Sequence, residues 1–183
     1  MVLPFTVVLF TLRPYHFFMK IVVTGAPGTG KTTLVKRLFR LYPERFKGFW
    51  TEEIREKGRR TGFRIVRTDG KMGILSRIDI ERPYRVGKYR VNVDEFEKLV
   101  IPFLVPDERI ILIDEIGKME LFSKRFVEIV EELLFGETSV IATIPLKDVH
   151  PVVRRIRKKY NPIEITLDNR EMVFGKIKRM LAF

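Results

Sequence analysis

Cysteine is absent from the 183-residue sequence, which excludes disulfide bonds, thiolate zinc sites and a cysteine nucleophile. Histidine occurs only twice, so a metal site built from several histidines is not expected. Glutamine is also absent and asparagine is scarce, whereas Lys, Arg and Glu are abundant, and this bias is typical of heat-adapted proteins. The chemistry of this protein must therefore use carboxylates, hydroxyls, amines or backbone groups.

Acidic residues are in deficit relative to basic ones. The 35 Lys and Arg residues outnumber the 23 Asp and Glu residues, which leaves a formal net charge of +12. Such an excess favours anionic partners, namely nucleotides, nucleic acid or acidic lipid headgroups. With 45% hydrophobic residues, a chain of this length fits one domain with a full core better than two small domains.

Long hydrophobic runs are missing as well. Residues 1–18 are mostly apolar and only Arg13 is charged, but this stretch is shorter than the roughly 20 residues that span a bilayer. It also lacks the basic start and the small-residue cleavage pattern of a secretory signal. We therefore predict a cytoplasmic protein without a membrane partner.

A strand-like segment begins at Met19 and needs no leader. We interpret residues 1–18 as an extension that results from a misassigned start, and residues 19–183 as a single domain. The alternative is a genuine arm that packs on the surface or in the groove of a partner. An intact-mass measurement on the native protein distinguishes the two interpretations.

Short apolar runs alternate with longer amphipathic segments, which predicts an α/β protein with one mostly parallel sheet flanked by helices. Residues 48–75 favour an antiparallel hairpin insertion in that sheet, and residues 82–90 favour a loop. The predicted strands are 21–23, 48–55, 62–68, 74–75, 109–113, 139–144 and 163–167. The predicted helices are 32–41, 92–104, 118–135, 151–160 and 170–181.

A glycine-rich motif, residues 25–32, follows the first predicted strand and matches G-x-x-x-x-G-K-[ST] in full. Glycines at these positions let backbone N–H groups turn toward a phosphate, and unpaired amides at the helix start add positive potential. We expect Lys31 to contact the terminal phosphates and Thr32 to bind Mg²⁺ through its hydroxyl. The predicted phosphate-binding residues are Gly25, Ala26, Pro27, Gly28, Thr29, Gly30, Lys31 and Thr32.

Two adjacent carboxylates, Asp114 and Glu115, end the apolar run at residues 110–113. Because Mg²⁺ keeps several waters and takes few protein carboxylates, we expect Asp114 to hold it through the water shell. Glu115 is then placed to accept a proton from a water that attacks the γ-phosphate. The alternative for Glu115 is a solvated charge at a helix start, a position that Glu also favours.

With these motifs in place, the chain resembles the THEP-type nucleoside-triphosphatases, small phosphate-loop enzymes that include the cancer-related nucleoside-triphosphatase of animals. The resemblance runs from about Met19 to the C-terminus and rests on GAPGTGKTT, GFWTEEIR, RTGFRI, YRVNVDEFE, IDEIGKMELFS and ATIPLKDVHP. It implies a RecA-like P-loop fold and Mg²⁺-dependent hydrolysis of several nucleoside triphosphates to diphosphates with little base selectivity. The nucleotide-binding residues that it implies in addition are Thr33, Ile110, Ile111, Leu112, Ile113, Asp114, Glu115, Ile116 and Gly117.

Four further polar residues are weaker candidates. Thr143 ends the strand after the Asp-Glu strand, where it either touches the γ-phosphate or its water or faces the core. Glu52 and Glu53 lie in a predicted strand beside Trp50, and one of them is a candidate to face the site. His150 precedes Pro151 and is expected at a helix start rather than in catalysis.

Clustered arginines are candidates for stabilising charge on the phosphate. Arg154, Arg155 and Arg157 form one basic helix surface, and Arg59 and Arg60 lie in the predicted hairpin connection. A solvated surface explains both groups at least as well as a catalytic role.

The leading function is therefore attack of water on the γ-phosphate of a nucleoside triphosphate, with Mg²⁺ and Lys31 stabilising charge and Glu115 as the base. The first alternative is a nucleotide or small-molecule kinase whose acceptor pocket is built by residues 48–90. The second is an ATPase that nucleic acid stimulates; it ranks lower because basic and aromatic residues do not interleave as in a base-stacking surface.

Overall fold

One mixed β-sheet forms the centre of the structure. The structure is a computed structural model that describes residues 18–182. Residues 1–17 lie outside the described residues, so the predicted N-terminal extension stays a prediction. Within the described residues the sheet has nine strands in the order β5-β6-β4-β3-β2-β7-β8-β1-β9. The strands are β1 Lys20–Gly25, β2 Phe46–Glu56, β3 Arg59–Arg67, β4 Met72–Arg77, β5 Tyr84–Val86, β6 Tyr89–Val91, β7 Ile110–Asp114, β8 Val140–Pro145 and β9 Ile163–Glu164.

The sheet has a parallel half and an antiparallel half that meet at β2. Strands β2, β7, β8, β1 and β9 pair in parallel, whereas β3, β4, β6 and β5 extend the sheet from β2 with antiparallel pairs. The predicted α/β fold with an antiparallel insertion is therefore confirmed.

Helices cover both faces of the sheet. They are α1 Lys31–Leu41, α2 Val93–Val100, α3 Lys124–Phe135, α4 Pro151–Tyr160 and α5 Arg170–Met180. Alternate residues of β7 enter different cores: Ile111 and Ile113 pack in the core that holds α2, α3 and α4, and Ile110 and Leu112 pack in the core that holds α1 and α5. This burial on both faces explains the uninterrupted apolar run of the strand.

The predicted loop at 82–90 is wrong, because β5 and β6 form a hairpin there. The turn contains Gly87, whose φ of 57° a glycine adopts without strain. Two predicted helices are also too long. The 118–135 helix begins only at Lys124, after a 3₁₀ turn at Glu120–Phe122, and the 92–104 helix ends at Val100, before a 3₁₀ turn at Ile101–Phe103.

Parallel pairing aligns the carboxyl ends of the central strands. Gly25 at the end of β1 is in register with Pro145 of β8, and Asp114 at the end of β7 is in register with Trp50 of β2. Strands β2 and β3 continue past this level as a hairpin. The loops after β1, β7 and β8 therefore meet at one edge of the sheet, beside the hairpin.

Gly48 is required where β2 pairs with β7, because a Cβ there would lie 1.8 Å from the carbonyl oxygen of Leu112. We expect Gly48→Ala to separate the two strands and to lower the free energy of unfolding by about 2 kcal/mol or more. Gly175→Ala is the control, since its Cβ would meet only the Arg179 side chain at 3.7 Å and a helical alanine stabilises by up to about 1 kcal/mol. Urea unfolding measures both; equal stability of Gly48→Ala and wild type would contradict the packing argument.

Candidate functional site

The phosphate loop, residues 25–32, joins β1 to α1 in a backbone conformation that depends on glycine. Gly28 and Gly30 have φ angles of 81° and 105°, which residues with a side chain rarely adopt. Leu34 N–H donates the first helical hydrogen bond, at 2.8 Å, to the carbonyl oxygen of Gly30. The amides of residues 31–33 precede that bond, and no acidic side chain stands in the first turn of α1. This end of the helix is therefore suited to bind an anion.

Lys31 is the first residue of α1 and is buried, with 8% of the residue exposed. Its Nζ donates a hydrogen bond of 2.9 Å to the carbonyl oxygen of Gly25. The same Nζ lies 3.4 Å from Oε2 of Glu115. The lysine thus connects the loop that follows β1 with the carboxylate that follows β7.

Asp114 is the last residue of β7 and is almost completely buried. Thr143 Oγ1, on the neighbouring strand β8, donates a hydrogen bond of 2.6 Å to its Oδ1, whereas Oδ2 has no hydrogen-bond partner among the described residues. Burial raises the pKa of Asp114 to about 6, and the hydroxyl groups of Thr143 and Thr32 act in the opposite direction. A buried carboxylate oxygen without a partner is unfavourable unless a donor or a cation reaches it.

Glu115 and Glu120 approach the same point of the backbone. A Cβ on Gly117 would lie 3.0 Å from Oε1 of Glu115 and 2.8 Å from Oε2 of Glu120, so a side chain at this position would displace one or both of these carboxyl groups. The Glu115 side chain is 29% exposed, while Glu120 is 5% exposed as a residue. Burial, together with the charges of Glu115 and Asp114, raises the pKa of Glu120 to about 8, against the effect of its own amide and that of Gly117.

Lys31, Glu115 and Glu120 line one cavity of about 670 Å³. Its near half is lined by the phosphate loop with Lys31, Thr32 and Thr33, and its middle by Glu115 and the segment 117–120. Its far half is formed by the antiparallel extension, where Arg60 donates hydrogen bonds to Tyr89 Oη at 2.9 Å and to Glu53 Oε1 at 2.6 Å. The far half is lined by Thr51, Glu53, Arg60, Phe63, Leu75, Val86, Gly87 and Tyr89.

Several predicted residues lie outside the lining of this cavity. Thr143 is fully buried, and its hydroxyl contacts the Asp114 carboxylate. The side chains of residues 110–113 and Ile116 are buried in the two hydrophobic cores, so they hold β7 in place and do not line the cavity. His150 accepts a hydrogen bond from Val152 N–H through Nδ1 and caps α4, as its sequence position predicts.

The candidate charged residues of the hairpin and of α4 divide between the cavity and the surface. Glu53 and Arg60 line the cavity, whereas Glu52 forms ion pairs with Lys36 and Arg64. The arginines of α4 do not line the cavity themselves and form ion pairs, Arg154 and Arg157 with Asp148, and Arg155 with Glu131. Arg157 also donates a hydrogen bond of 2.6 Å to the carbonyl oxygen of Pro145, which lines the cavity.

Glu120, Phe63 and Tyr89 line the cavity but are not candidates from sequence reasoning. Glu120 falls inside a predicted helix, where a charged residue implies a solvated face. A signal for Tyr89 does exist, because the repeated triplet Tyr-Arg-Val on either side of Gly87-Lys88 indicates a tight hairpin. Nothing local indicates that this hairpin lies over the phosphate loop.

None of the helices within residues 18–182 is long and apolar enough to span a membrane. Comparison with known proteins identifies the family of the chain. A family model described as NTPase matches residues 20–178.

Named relatives cover nearly the same part of the chain. The nucleoside-triphosphatase THEP1 of Aquifex aeolicus (strain VF5) is 47% identical over 176 residues, a match that covers 89% of this chain and 99% of the relative. The human cancer-related nucleoside-triphosphatase is 38% identical over 182 residues, which covers 88% of this chain and 94% of the relative. The crystal structure of THEP1 from the hyperthermophile Aquifex aeolicus matches with a TM-score of 0.81 and 44% identity, over 90% of this chain and 100% of that chain.

The family match and these relatives confirm the resemblance that the sequence motifs indicate. The phosphate loop, Asp114, Glu115 and Glu120 all lie inside the matched range. The chain therefore belongs to this NTPase family.

Proposed function

We propose that this protein hydrolyses nucleoside triphosphates to nucleoside diphosphates and inorganic phosphate. The observation that carries the proposal is one cavity that brings together the phosphate loop, Lys31 and Glu115. The names of its relatives, nucleoside-triphosphatases from Aquifex aeolicus and human, support the same reaction. The cytoplasmic location stays a prediction from the lack of membrane-spanning and signal features, and the heat adaptation stays a prediction from composition.

The phosphate loop binds the polyphosphate chain of the substrate. Amides at the start of α1 point toward the anion, and the left-handed backbone at Gly28 and Gly30 leaves room for close approach of its oxygens. Lys31 then exchanges its carbonyl partner for the terminal phosphates and stabilises the charge that develops there. These contacts do not depend on the base, which agrees with low base selectivity.

The residues beside the loop fit Mg²⁺. Mg²⁺ keeps several waters and is usually bound through one or two carboxylates, and the orphaned Oδ2 of Asp114 offers one such ligand. Thr32 and Asp114 are the residues that would hold it. When bound, Mg²⁺ would neutralise charge on the β- and γ-phosphate oxygens. Thr143 keeps the Asp114 carboxylate in one orientation through its hydrogen bond to Oδ1.

Glu115 receives the proton of the attacking water. The water oxygen bonds to the γ-phosphorus as the bond from that phosphorus to the β,γ-bridging oxygen breaks, and the diphosphate leaves with the bonding electrons. Oε2 of Glu115 lies 3.4 Å from Lys31 Nζ, so base and phosphate-binding cation are neighbours before the substrate arrives. General-base catalysis of this kind contributes on the order of 10²–10⁴ in rate.

Lys31→Ala and Glu115→Ala should both abolish most of the phosphate release, for different reasons. Loss of Lys31 removes phosphate binding, while loss of Glu115 removes the base and leaves the nucleotide bound, with kcat reduced about 10²-fold or more. Phosphate-release assays and calorimetric titration with a non-hydrolysable triphosphate measure the two effects. Lys176→Ala and Glu128→Ala, at exposed helix positions outside the cavity, are the controls. Turnover of Glu115→Ala at the wild-type rate would reject Glu115 as the base.

Thr143→Val should raise the Mg²⁺ concentration that gives half-maximal phosphate release, because Asp114 loses the hydrogen bond that orients it. Changes in residues that orient metal ligands typically weaken metal affinity about 10- to 100-fold. Thr138→Val is the control, since Thr138 is a buried threonine ahead of β8, at the other end of that strand. Chelation of Mg²⁺ should stop wild-type turnover; a rate independent of Mg²⁺ would contradict the assignment of Thr32 and Asp114.

A kinase is the second candidate, and the far half of the cavity favours it. That half extends past Glu115 to Arg60, Phe63 and Tyr89, so it offers space beyond the γ-phosphate for a phosphoryl acceptor. Incubation with γ-labelled nucleotide and small hydroxyl compounds, with nucleosides as the first set, distinguishes the two. Hydrolysis predicts that the label appears as free phosphate whatever compound is added, whereas a kinase transfers it to one of them.

A further inference from the structure

Glu120 is a buried carboxyl group that the proposed reaction does not yet use. It begins the 3₁₀ turn at Glu120–Phe122, is 5% exposed and lines the cavity between Glu115 and the far half. No ion pair of Glu120 with a lysine or arginine occurs among the described residues. A buried charge without a partner is unfavourable, so the group is expected to keep its proton.

The two oxygens of Glu115 have different neighbours. Oε2 faces Lys31 Nζ at 3.4 Å, whereas Oε1 lies 3.0 Å from the position that a Cβ of Gly117 would take, and Oε2 of Glu120 lies 2.8 Å from the same position. A carboxylate with one oxygen held in place presents its other oxygen in a defined direction. Glu115 needs a second contact, because its side chain is partly exposed and its ion-pair partner Lys31 is expected to turn to the phosphates when the substrate binds.

The charges around Glu120 favour its neutral, protonated form, which can donate a hydrogen bond. Glu115 and Asp114 are the carboxylates whose charges raise its pKa beyond the effect of burial, and the amides of residues 117 and 120 act in the opposite direction. Lys31, 3.4 Å from Glu115, and Lys118 are the lysines that line the cavity with these acids. A neutral carboxyl group carries one O–H donor, and the carboxylate of Glu115 is an acceptor only.

We propose that Glu120 is a positioning residue that donates a hydrogen bond to Oε1 of Glu115 beside Gly117 and thereby directs Oε2 at the attacking water. The inference rests on the proposed function of Glu115 as the base. Glu120 itself does not touch the substrate. Gly117 belongs to the same arrangement, because a Cβ at this position would separate the two carboxyl groups.

Glu120→Gln and Glu120→Met form the decisive pair of variants. Both keep the approximate shape of the side chain, but only glutamine retains a donor. We expect Glu120→Met to lower kcat about 10- to 100-fold, since misplacement of a catalytic group by about 1 Å has an effect of that size, with KM changed by less than about threefold. Glu120→Gln should keep kcat within about threefold of wild type. Phosphate release under steady-state conditions gives both constants.

Glu97→Ala is the control for loosening of the segment. Its carboxylate accepts a hydrogen bond of 2.6 Å from Ser123, next to the same 3₁₀ turn, but it does not line the cavity. Loss of Glu97 should lower thermal stability and leave kcat unchanged. An equal loss of kcat in Glu97→Ala and Glu120→Met would overturn the proposal in favour of a purely structural role.

The double variant separates the inference from the function on which it rests. If Glu120 acts through Glu115, Glu120→Met added to Glu115→Ala has no further effect on single-turnover phosphate release; independent action multiplies the two losses. A multiplied loss, or wild-type kcat in Glu120→Met alone, would overturn the role of Glu120. Wild-type turnover in Glu115→Ala would instead reject the base assignment, so the two failures are distinguishable.

Should Glu120→Met fail to fold, a large loss of kcat in folded Glu120→Gln would overturn the inference, and an intact kcat there would support it.

Discussion

The hydrogen bond from Thr143 to Asp114 determines the arrangement at the edge of the sheet. It joins the carboxyl ends of two central parallel strands and satisfies one oxygen of a carboxylate that is otherwise cut off from water. Just beyond Asp114, the N–H of Ile116 donates a hydrogen bond of 2.9 Å to the carbonyl oxygen of Thr143, so the chain stays beside β8, and Glu115 lies 3.4 Å from Lys31. The loops that carry the chemistry are irregular, but each starts from a strand end that the sheet holds in place.

Local sequence was sufficient to predict the near half of the site. The glycines of the phosphate loop and the start of α1 follow from backbone preferences over a few residues, and the acids after β7 follow from an apolar run that must be buried on both faces. The Ser123 cap, whose hydroxyl accepts a hydrogen bond from Phe126 N–H, also carried a local signal for the true start of α3. That signal is weaker than the helical periodicity of residues 118–135, which predicted a single long helix.

The far half of the cavity could not be predicted in the same way. Phe63 and Tyr89 belong to β3 and β6, which lie on either side of β4 in the sheet, and their rings meet edge to face, 5.4 Å apart, only after these strands have paired. Glu120 reaches Glu115 because a 3₁₀ turn, which has no distinct sequence pattern here, turns the segment back on itself. These residues depend on tertiary contacts, and a single sequence carries little information about them. Cross-strand ion pairs, such as Glu53 with Arg60 and Glu52 with Arg64, then stabilise the extension, and such networks gain value at high temperature.

Trp50 gives the molecule a built-in optical probe. It is the single tryptophan of the sequence, and on β2 it is in register with Asp114. Its indole N–H donates to Glu52 at 3.0 Å, and its ring lies 5.4 Å from that of Phe39 on α1, the helix that begins at Lys31. Small shifts of α1 or of the strand end therefore alter the polarity around one fluorophore, so ligand entry can be followed by emission without any label.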